Sequence, residues 1–260
     1  MTDFARGVLY PGEHATIVDL DRYEPAPGTA PFVEFHWHVR WKLQEPYETK
    51  VLAHPSVHLV FERPAPLVYG VDRGLFVRRL EGTGQVLGVK FRPGGFHPLS
   101  RGPVSTLTDR RVPATDLFGP EIEELNGRIL TTPDGPAMAA LADAFLAPLL
   151  PPRPDPLAED VAEVIERITA TPSLTRVDEA AADAGVSVRT LQRLFSEYVG
   201  VSPKWVLRRA RLHEAAARAD AGTPVDWPAL AADLGYADQA HLSRDFTATV
   251  GTPPSRYARA

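Results

Sequence analysis

The chain has 260 residues, a formal net charge of −5 at pH 7 and no cysteine. That length is enough for one large or two modest domains. The absence of cysteine excludes disulfides, thiolate catalysis, thiol redox sensing, iron–sulfur clusters and every zinc site that needs a cysteine ligand. The acidic balance of the whole chain argues against nucleic acid as a partner, because binding to phosphates needs a basic surface.

The sequence shows no pattern typical of a membrane span, a secretion signal or a catalytic site. No apolar run is long enough for a transmembrane helix, and residues 1–6 lack the pattern of a secretion signal. We therefore expect a cytoplasmic protein with no membrane partner. No Ser/His/Asp order, phosphate-binding glycine loop or catalytic carboxylate pair stands out, so we expect no enzymatic activity and no cofactor.

Residues 31–92 predict a series of short antiparallel strands. In the first of them Val33, Phe35, Trp37, Val39 and Trp41 alternate with polar residues, a period of two that is typical of a half-buried strand. Apolar runs at 57–61, 67–69, 75–77 and 86–91 follow, and prolines and glycines separate them as turns require. Strands at this spacing predict a sandwich or barrel.

The alternating strand also has a polar face. If this face turns inward, it would line a polar cavity for a small organic effector, with Glu34, His36, His38 and Arg40 as the binding residues. A His-x-His strand with a carboxylate is also how cupin-like barrels hold a metal, so a metal-dependent enzyme domain is the alternative hypothesis. A third possibility is a solvated or hydrogen-bonded face with no ligand. We expect the opposite, aromatic face to belong to the core.

The rest of the chain is predicted to be helical. Residues 121–130 and 136–150 predict two amphipathic helices, which pack within the chain or form a dimer surface. Residues 151–156 contain four prolines and predict a stiff linker. We expect an α+β protein of two domains: a β-rich barrel- or sandwich-like domain with trailing helices at 1–150, the Pro-rich linker at 151–156, and an all-α domain at 157–260.

The all-α region contains an internal repeat. The sequence AADAG at 181–185 returns as AADLG at 231–235, and VGVSP at 199–203 returns as VGTPP at 250–254. Each copy predicts a short helix, a turn opened by glycine and a second helix, which is the plan of a helix-turn-helix. Gly185 and Gly235 can adopt the left-handed conformation that ends a helix, and Ser187 and Ser202 suit helix N-caps. Residues 203–219 predict a connecting helix of about 25 Å.

The second helix of each copy exposes side chains that can recognise bases. Arginine can bond O6 and N7 of guanine, and glutamine can bond N6 and N7 of adenine. In the first copy the exposed residues are Arg189, Thr190, Gln192 and Arg193, and in the second they are Gln239, His241, Ser243 and Arg244. The alternative is a helical dimerisation module with a solvated arginine face.

Two segments of this region stand out: VRTLQRLF at 188–195 with GVSPKW at 200–205, and LAADLGYADQAHLSRDF at 230–246. They resemble the AraC/XylS family of bacterial transcription regulators. The resemblance covers about residues 157–260. It implies two motifs that bind double-stranded DNA in adjacent major grooves. The implied base-facing residues are Arg189, Gln192, Arg193, Gln239, Ala240, Ser243 and Arg244, and Thr190 and Lys204 are implied phosphate contacts. Trp205 stands where the family often has tyrosine. Ala240 stands where the family often has a hydroxyl residue, and it can contact only a thymine methyl.

The segment GVKFRPGGF at 88–96 resembles an N-terminal domain of some AraC-like regulators. The family implies an activator or repressor with a sensing or dimerising N-terminal domain, and with a homodimer and RNA polymerase as possible partners. A dimerising regulator without an effector is the remaining alternative.

Residues 188–211 hold six basic residues and one acidic residue, so the net charge of the whole chain conceals a basic segment on the first motif.

Overall fold

The computed structural model describes residues 7–258. It confirms the predicted fold class, with a β-rich N-terminal half and a helical C-terminal half. The prediction for residues 1–6 and the outer limits of the predicted domains lie outside the described residues. Among the described residues, no helix is long and apolar enough to cross a membrane.

The strands of the N-terminal half form two antiparallel sheets. Six of them make a large sheet in the order β1-β2-β7-β4-β5-β8, and β3 pairs with β6 in a small sheet. The strands are β1 Val18–Tyr23, β2 Val33–Lys42, β3 Tyr47–Leu52, β4 His58–Phe61, β5 Leu67–Tyr69, β6 Leu75–Leu80, β7 Thr83–Phe91 and β8 Arg111–Pro113. The sequence predicted β2, β4, β5, β6 and β7. It did not predict β1 and β3, in which half of the six residues are polar, or β8, which has only three residues.

Helices cover one face of the large sheet. After a short helix α1 (Pro11–Ile17) before the sheet, the chain forms α2 (Thr115–Phe118), α3 (Glu121–Thr131) and α4 (Gly135–Leu146). Ile122 and Ile129 of α3 and Met138 of α4 are buried in one core with Leu59 and Leu87 of the sheet. The apolar faces of the two predicted helices are therefore used within the chain. The helix predicted at 136–150 ends early in a 3-10 turn, since Pro148 has no N–H for an α-helical bond.

The small sheet covers the other face of the large sheet. A register shift in β2 between Val33 and Phe35 sets which residues point to each side. Trp37 lies on the side of the small sheet, where its indole packs directly over Gly88 of β7. A Cβ atom at Gly88 would lie 2.0 Å from that ring, so only glycine leaves room for it.

The C-terminal half contains both predicted helix-turn-helix motifs. Its helices are α5 Pro156–Ala170, α6 Val177–Asp183, α7 Val188–Tyr198, α8 Pro203–Asp220, α9 Trp227–Asp233, α10 Gln239–Val250 and α11 Pro254–Tyr257. Ser187 and Ser202 cap α7 and α8 with their side chains, as expected. Gly185 and Gly235 have φ angles of 66° and 69°, so both end the first helix of a motif in the left-handed conformation.

The two halves share apolar packing. Val71, from the loop after β5, is buried in the core of α5, α6, α7 and α8. Leu9 and Leu52 are buried in the core formed by α8, α9 and α10. Pro156, assigned to the linker from sequence, is the first residue of α5, where proline is well tolerated. The domain limits at 150 and 157 stay a prediction.

Candidate functional site

Helix α7 presents one apolar and one polar face. Leu191, Leu194 and Phe195 are buried against the rest of the helical half. Arg189, Gln192 and Arg193 are exposed on the opposite side, and none of the three makes a side-chain hydrogen bond or ion pair with another described residue. Thr190 is half-buried and its hydroxyl lies 2.9 Å from that of Ser187. The long side chains of α7 are therefore available to an external partner.

Helix α10 repeats this arrangement in the second motif. Leu242 and Phe246 are buried, as predicted. Gln239, Ala240 and Arg244 are exposed and Ser243 is half-buried. His241 is exposed with its ring 5.1 Å from that of Tyr236. The structure thus places the predicted base-facing residues of both motifs at the surface.

The basic segment predicted at 188–211 is smaller in the folded chain than in the sequence. Lys204 is exposed in the first turn of α8. Arg208, however, pairs with Asp245 at 2.5 Å, and Arg211 stacks on the ring of Tyr236 at 4.4 Å. Arg209 is buried, and its guanidinium bonds backbone carbonyls of the N-terminal half. Arg209 is thus removed from the surface, while Arg208 and Arg211 stay half-buried with partners inside the chain, so the basic face is smaller than the sequence suggested.

The sequence did not reveal the contacts that hold α8 and α10 together. Asp245 accepts hydrogen bonds from Arg208 and, at 2.8 Å, from the hydroxyl of Tyr236. Burial, and then the charge of Arg208, lowers the pKa of Arg209 to about 10, which leaves its guanidinium protonated at neutral pH. In the sequence, the only signal for these contacts was the charged residue Asp245, two positions after Ser243 on α10.

The predicted effector residues lie away from the cavity between the sheets. His36 and His38 are fully buried on the side covered by α3 and α4. His36 Nε2 lies 3.0 Å from Asp143 of α4, and His38 Nε2 lies 2.9 Å from Gln85. Burial lowers the pKa of His38. These imidazoles bond protein groups, because the polar face of β2 packs under helices rather than against a ligand space.

The other two predicted effector residues form ion pairs. Glu34 lies 2.9 Å from Lys90, and Arg40 lies 2.7 Å from Asp21. Neither lines the cavity between the two sheets. Among residues 7–258, no group of three or more His, Asp or Glu side chains is placed to hold a metal ion.

The cavity between the sheets has a volume of about 190 Å³. Aromatic rings make up much of its wall, and Leu20, Val39, Val51 and Val86 add aliphatic surface; the rings belong to Phe35, Trp37, Trp41, Tyr69 and Phe76. The expectation that the aromatic face of β2 is simple core was therefore wrong. The small sheet does not pack closely against that face, and the gap between them is the cavity.

Three polar residues of the cavity wall, Trp37, His58 and Tyr69, make side-chain hydrogen bonds to protein groups. Trp37 Nε1 donates to Nδ1 of His58 at 3.0 Å, which leaves the His58 proton on Nε2. Burial, and then the charges of Lys90 and Arg111, lowers the pKa of His58 to about 3, so the ring is neutral. The hydroxyl of Tyr69 donates to Glu62, and burial raises its pKa. The wall suits a small, mainly apolar molecule.

Comparison with known proteins gives two family matches. Residues 21–113 match a domain of unknown function, DUF6597, and residues 180–260 match a helix-turn-helix domain. No curated protein matches the chain.

Three solved structures are similar at low identity. The C-terminal domain of AraT, a response regulator from Geobacillus stearothermophilus, is 24% identical over 40% of this chain and 88% of its own, with a TM-score of 0.36. An AraC-type regulator from Chromobacterium violaceum is 22% identical over 39% and 90%, with a TM-score of 0.35. ToxT from Vibrio cholerae is 10% identical over 94% and 98%, with a TM-score of 0.41. The family match at 180–260 shows that the C-terminal part of the chain carries a helix-turn-helix domain.

Proposed function

We propose that the chain is a sequence-specific regulator that binds double-stranded DNA through α7 and α10. The main observation in support is that both helices expose arginine and glutamine side chains that have no side-chain partner among the described residues. Arg189, Gln192 and Arg193 would recognise bases in one major groove, and Gln239, Ala240, Ser243 and Arg244 in the next. Thr190 and Lys204 would contact phosphate, which fixes the register of the protein on the duplex.

The DNA half of the proposal is tested by selecting duplexes from a randomised pool with the full chain. Arg193→Ala and Arg244→Ala should each weaken binding to the selected duplex by about 1–3 kcal/mol, which is roughly 5- to 150-fold. Arg218→Ala is the matched control, because Arg218 is exposed but pairs with Glu214 within α8. Selection of no consensus, or equal loss in all three variants, would overturn sequence-specific recognition by these helices.

The proposal also includes regulation by a small molecule in the cavity between the sheets. An engineered apolar cavity of about 150 Å³ binds benzene, so the cavity here, about 190 Å³, is large enough for a small aromatic molecule. Indole is a suitable probe for a wall of this kind. Its binding should raise the melting temperature of the full chain.

Two valine variants locate the binding of the probe. Val39→Phe fills the cavity from its wall and should abolish the effect of indole, whereas Val77→Phe makes the same change at an exposed position of β6 and should retain it. An equal response of both variants would place the probe elsewhere. A regulator with no effector predicts no response in any variant. Homodimer formation and contact with RNA polymerase stay predictions without an assigned surface.

A further inference from the structure

One side of α8 faces the N-terminal half of the chain. Trp205, Arg209 and His213 are spaced four residues apart, so they lie along a single side of the helix, which we call the α8 stripe. Arg209 and His213 are buried and Trp205 is half-buried. Each of the three contacts a segment between β3 and β6.

The first of these segments is the loop at 70–74. Arg209 Nη2 donates to the carbonyl oxygens of Arg73 at 2.6 Å and Gly74 at 3.2 Å, and Trp205 Nε1 donates to Arg73 at 3.3 Å. The guanidinium also lies 4.6 Å from the ring of Trp205. Among residues 7–258 no carboxylate lies within ion-pair distance of Arg209, and its Nη1 has no hydrogen-bond partner. A buried guanidinium usually pairs with a carboxylate, but here mainly the carbonyls of one loop hold it.

The second segment is the chain that leaves β3. The ring of His213 stacks on that of His54, with centroids 4.2 Å apart and planes at 16°. Its Nε2 atom lies 3.4 Å from the carbonyl oxygen of Ala53. The contact continues into the core, where Leu52 is packed with Leu212 of α8.

Both segments link the small sheet to the large one. Residues 53–57 connect β3 to β4, and residues 70–74 connect β5 to β6. Both also line the cavity, through Ala53 and His54 in one link and Gly70 and Asp72 in the other. Because the cavity lies between the sheets, an occupant that changes their separation must move both links.

We propose that the α8 stripe transmits occupancy of the cavity to the two DNA-binding motifs. Helix α8 joins those motifs in the chain and is tied to α10 by the pair of Arg208 and Asp245. A shift of either link therefore changes the position of α8, and with it the spacing of α7 and α10 that adjacent major grooves require. This inference rests on the proposed function, since it needs both DNA binding and an occupied cavity.

The inference is tested by a double-mutant cycle on the full chain, with the affinity for the selected duplex as the readout. Val39→Phe serves as a permanently filled cavity and Val77→Phe as its exposed control. Arg209→Met keeps the aliphatic stem against Trp205 but removes the guanidinium. If that variant does not fold, Trp205→Phe keeps the ring and removes the donor to the Arg73 carbonyl.

In the wild-type background Val39→Phe should change the DNA affinity by at least about fivefold, the lower end of allosteric couplings, while Val77→Phe leaves it unchanged. In the Arg209→Met background the effect of Val39→Phe should fall below about twofold, the range of independent sites. The same change in both backgrounds would overturn the coupling role of the stripe and leave the proposed function intact. DNA binding that neither indole nor Val39→Phe alters would refute the effector half of the proposed function, and the inference with it. Failure to select any DNA would refute the DNA half.

Discussion

Asp143 is expected to be a main stabilising residue of the N-terminal half. Its Oδ1 atom accepts hydrogen bonds from Thr29 at 2.5 Å and His36 at 3.0 Å, and its Oδ2 atom accepts one from the backbone N–H of Ala26 at 2.8 Å. These bonds tie α4 to β2 and to the turn before it. Burial alone would raise the pKa of Asp143, but the hydrogen bonds from His36 and Thr29 lower it, so the carboxylate is charged at neutral pH.

The cost of Asp143→Ala follows from the donors that it leaves behind. Thr29 keeps a second acceptor, the carbonyl oxygen of Ala26 at 3.1 Å. His36 is fully buried and its Nδ1 already lacks a partner among the described residues, so its ring would lose its only hydrogen bond. The N–H of Ala26 would also be unpaired. Ala26 is exposed, so water can solvate its N–H, whereas the donor of the buried His36 would have no partner. One buried donor without a partner costs about 1–3 kcal/mol, and we expect a loss of that size in the free energy of unfolding.

The measurement is urea unfolding followed by tryptophan fluorescence, because Trp37 and Trp41 lie on β2. Asp143→Asn keeps one acceptor oxygen and should lose about half as much. Asp160→Ala, at an exposed position of α5, is the control and should change stability by less than about 0.5 kcal/mol. If Asp143→Ala cost no more than Asp160→Ala, the structural role assigned to the His36 face of β2 would be wrong.

Three further predictions concern DNA, pH and the turns. Lys204→Ala should weaken binding to selected and unselected duplexes alike and reduce the slope of log K against log salt by about 0.9, measured by titration; a loss confined to the selected duplex would contradict a phosphate contact. The pKa of His58 in the folded chain, about 3, lies below its value of 6.5 in the unfolded chain, so stability is present above pH 6.5 and is lost as the pH falls toward 3. His58→Gln should therefore remove about 2 kcal/mol of the loss between pH 7.5 and pH 5 in urea unfolding, and equal slopes would refute this. Gly235→Ala should lower the melting temperature more than Gly185→Ala, because a Cβ atom at 235 would lie 2.4 Å from Thr175 whereas nothing lies within 4 Å at 185; equal shifts would show that only the left-handed backbone matters.

Local pattern was sufficient for β2 and for the helices of the two motifs. The period of two in β2, the glycines at 185 and 235 and the serine caps at 187 and 202 act over a few residues, so they could be recognised one segment at a time. The same is true of the polar faces of α7 and α10, since an amphipathic helix buries its apolar side wherever it packs. The bases that these faces contact stay a prediction.

The residue pattern alone is enough to predict that β2 is a strand with two unlike faces and that the C-terminal half holds two similar motifs. The folded chain sets which face of β2 meets helices and which meets a cavity. That choice depends on partners far along the chain, such as Asp143, which is 107 residues from His36. Folding also takes Arg209 out of the basic surface, because its carbonyl partners are 136 and 135 residues away. Periodicity sets the faces of an element, but the partner of each face is set by the energy of packing the whole chain.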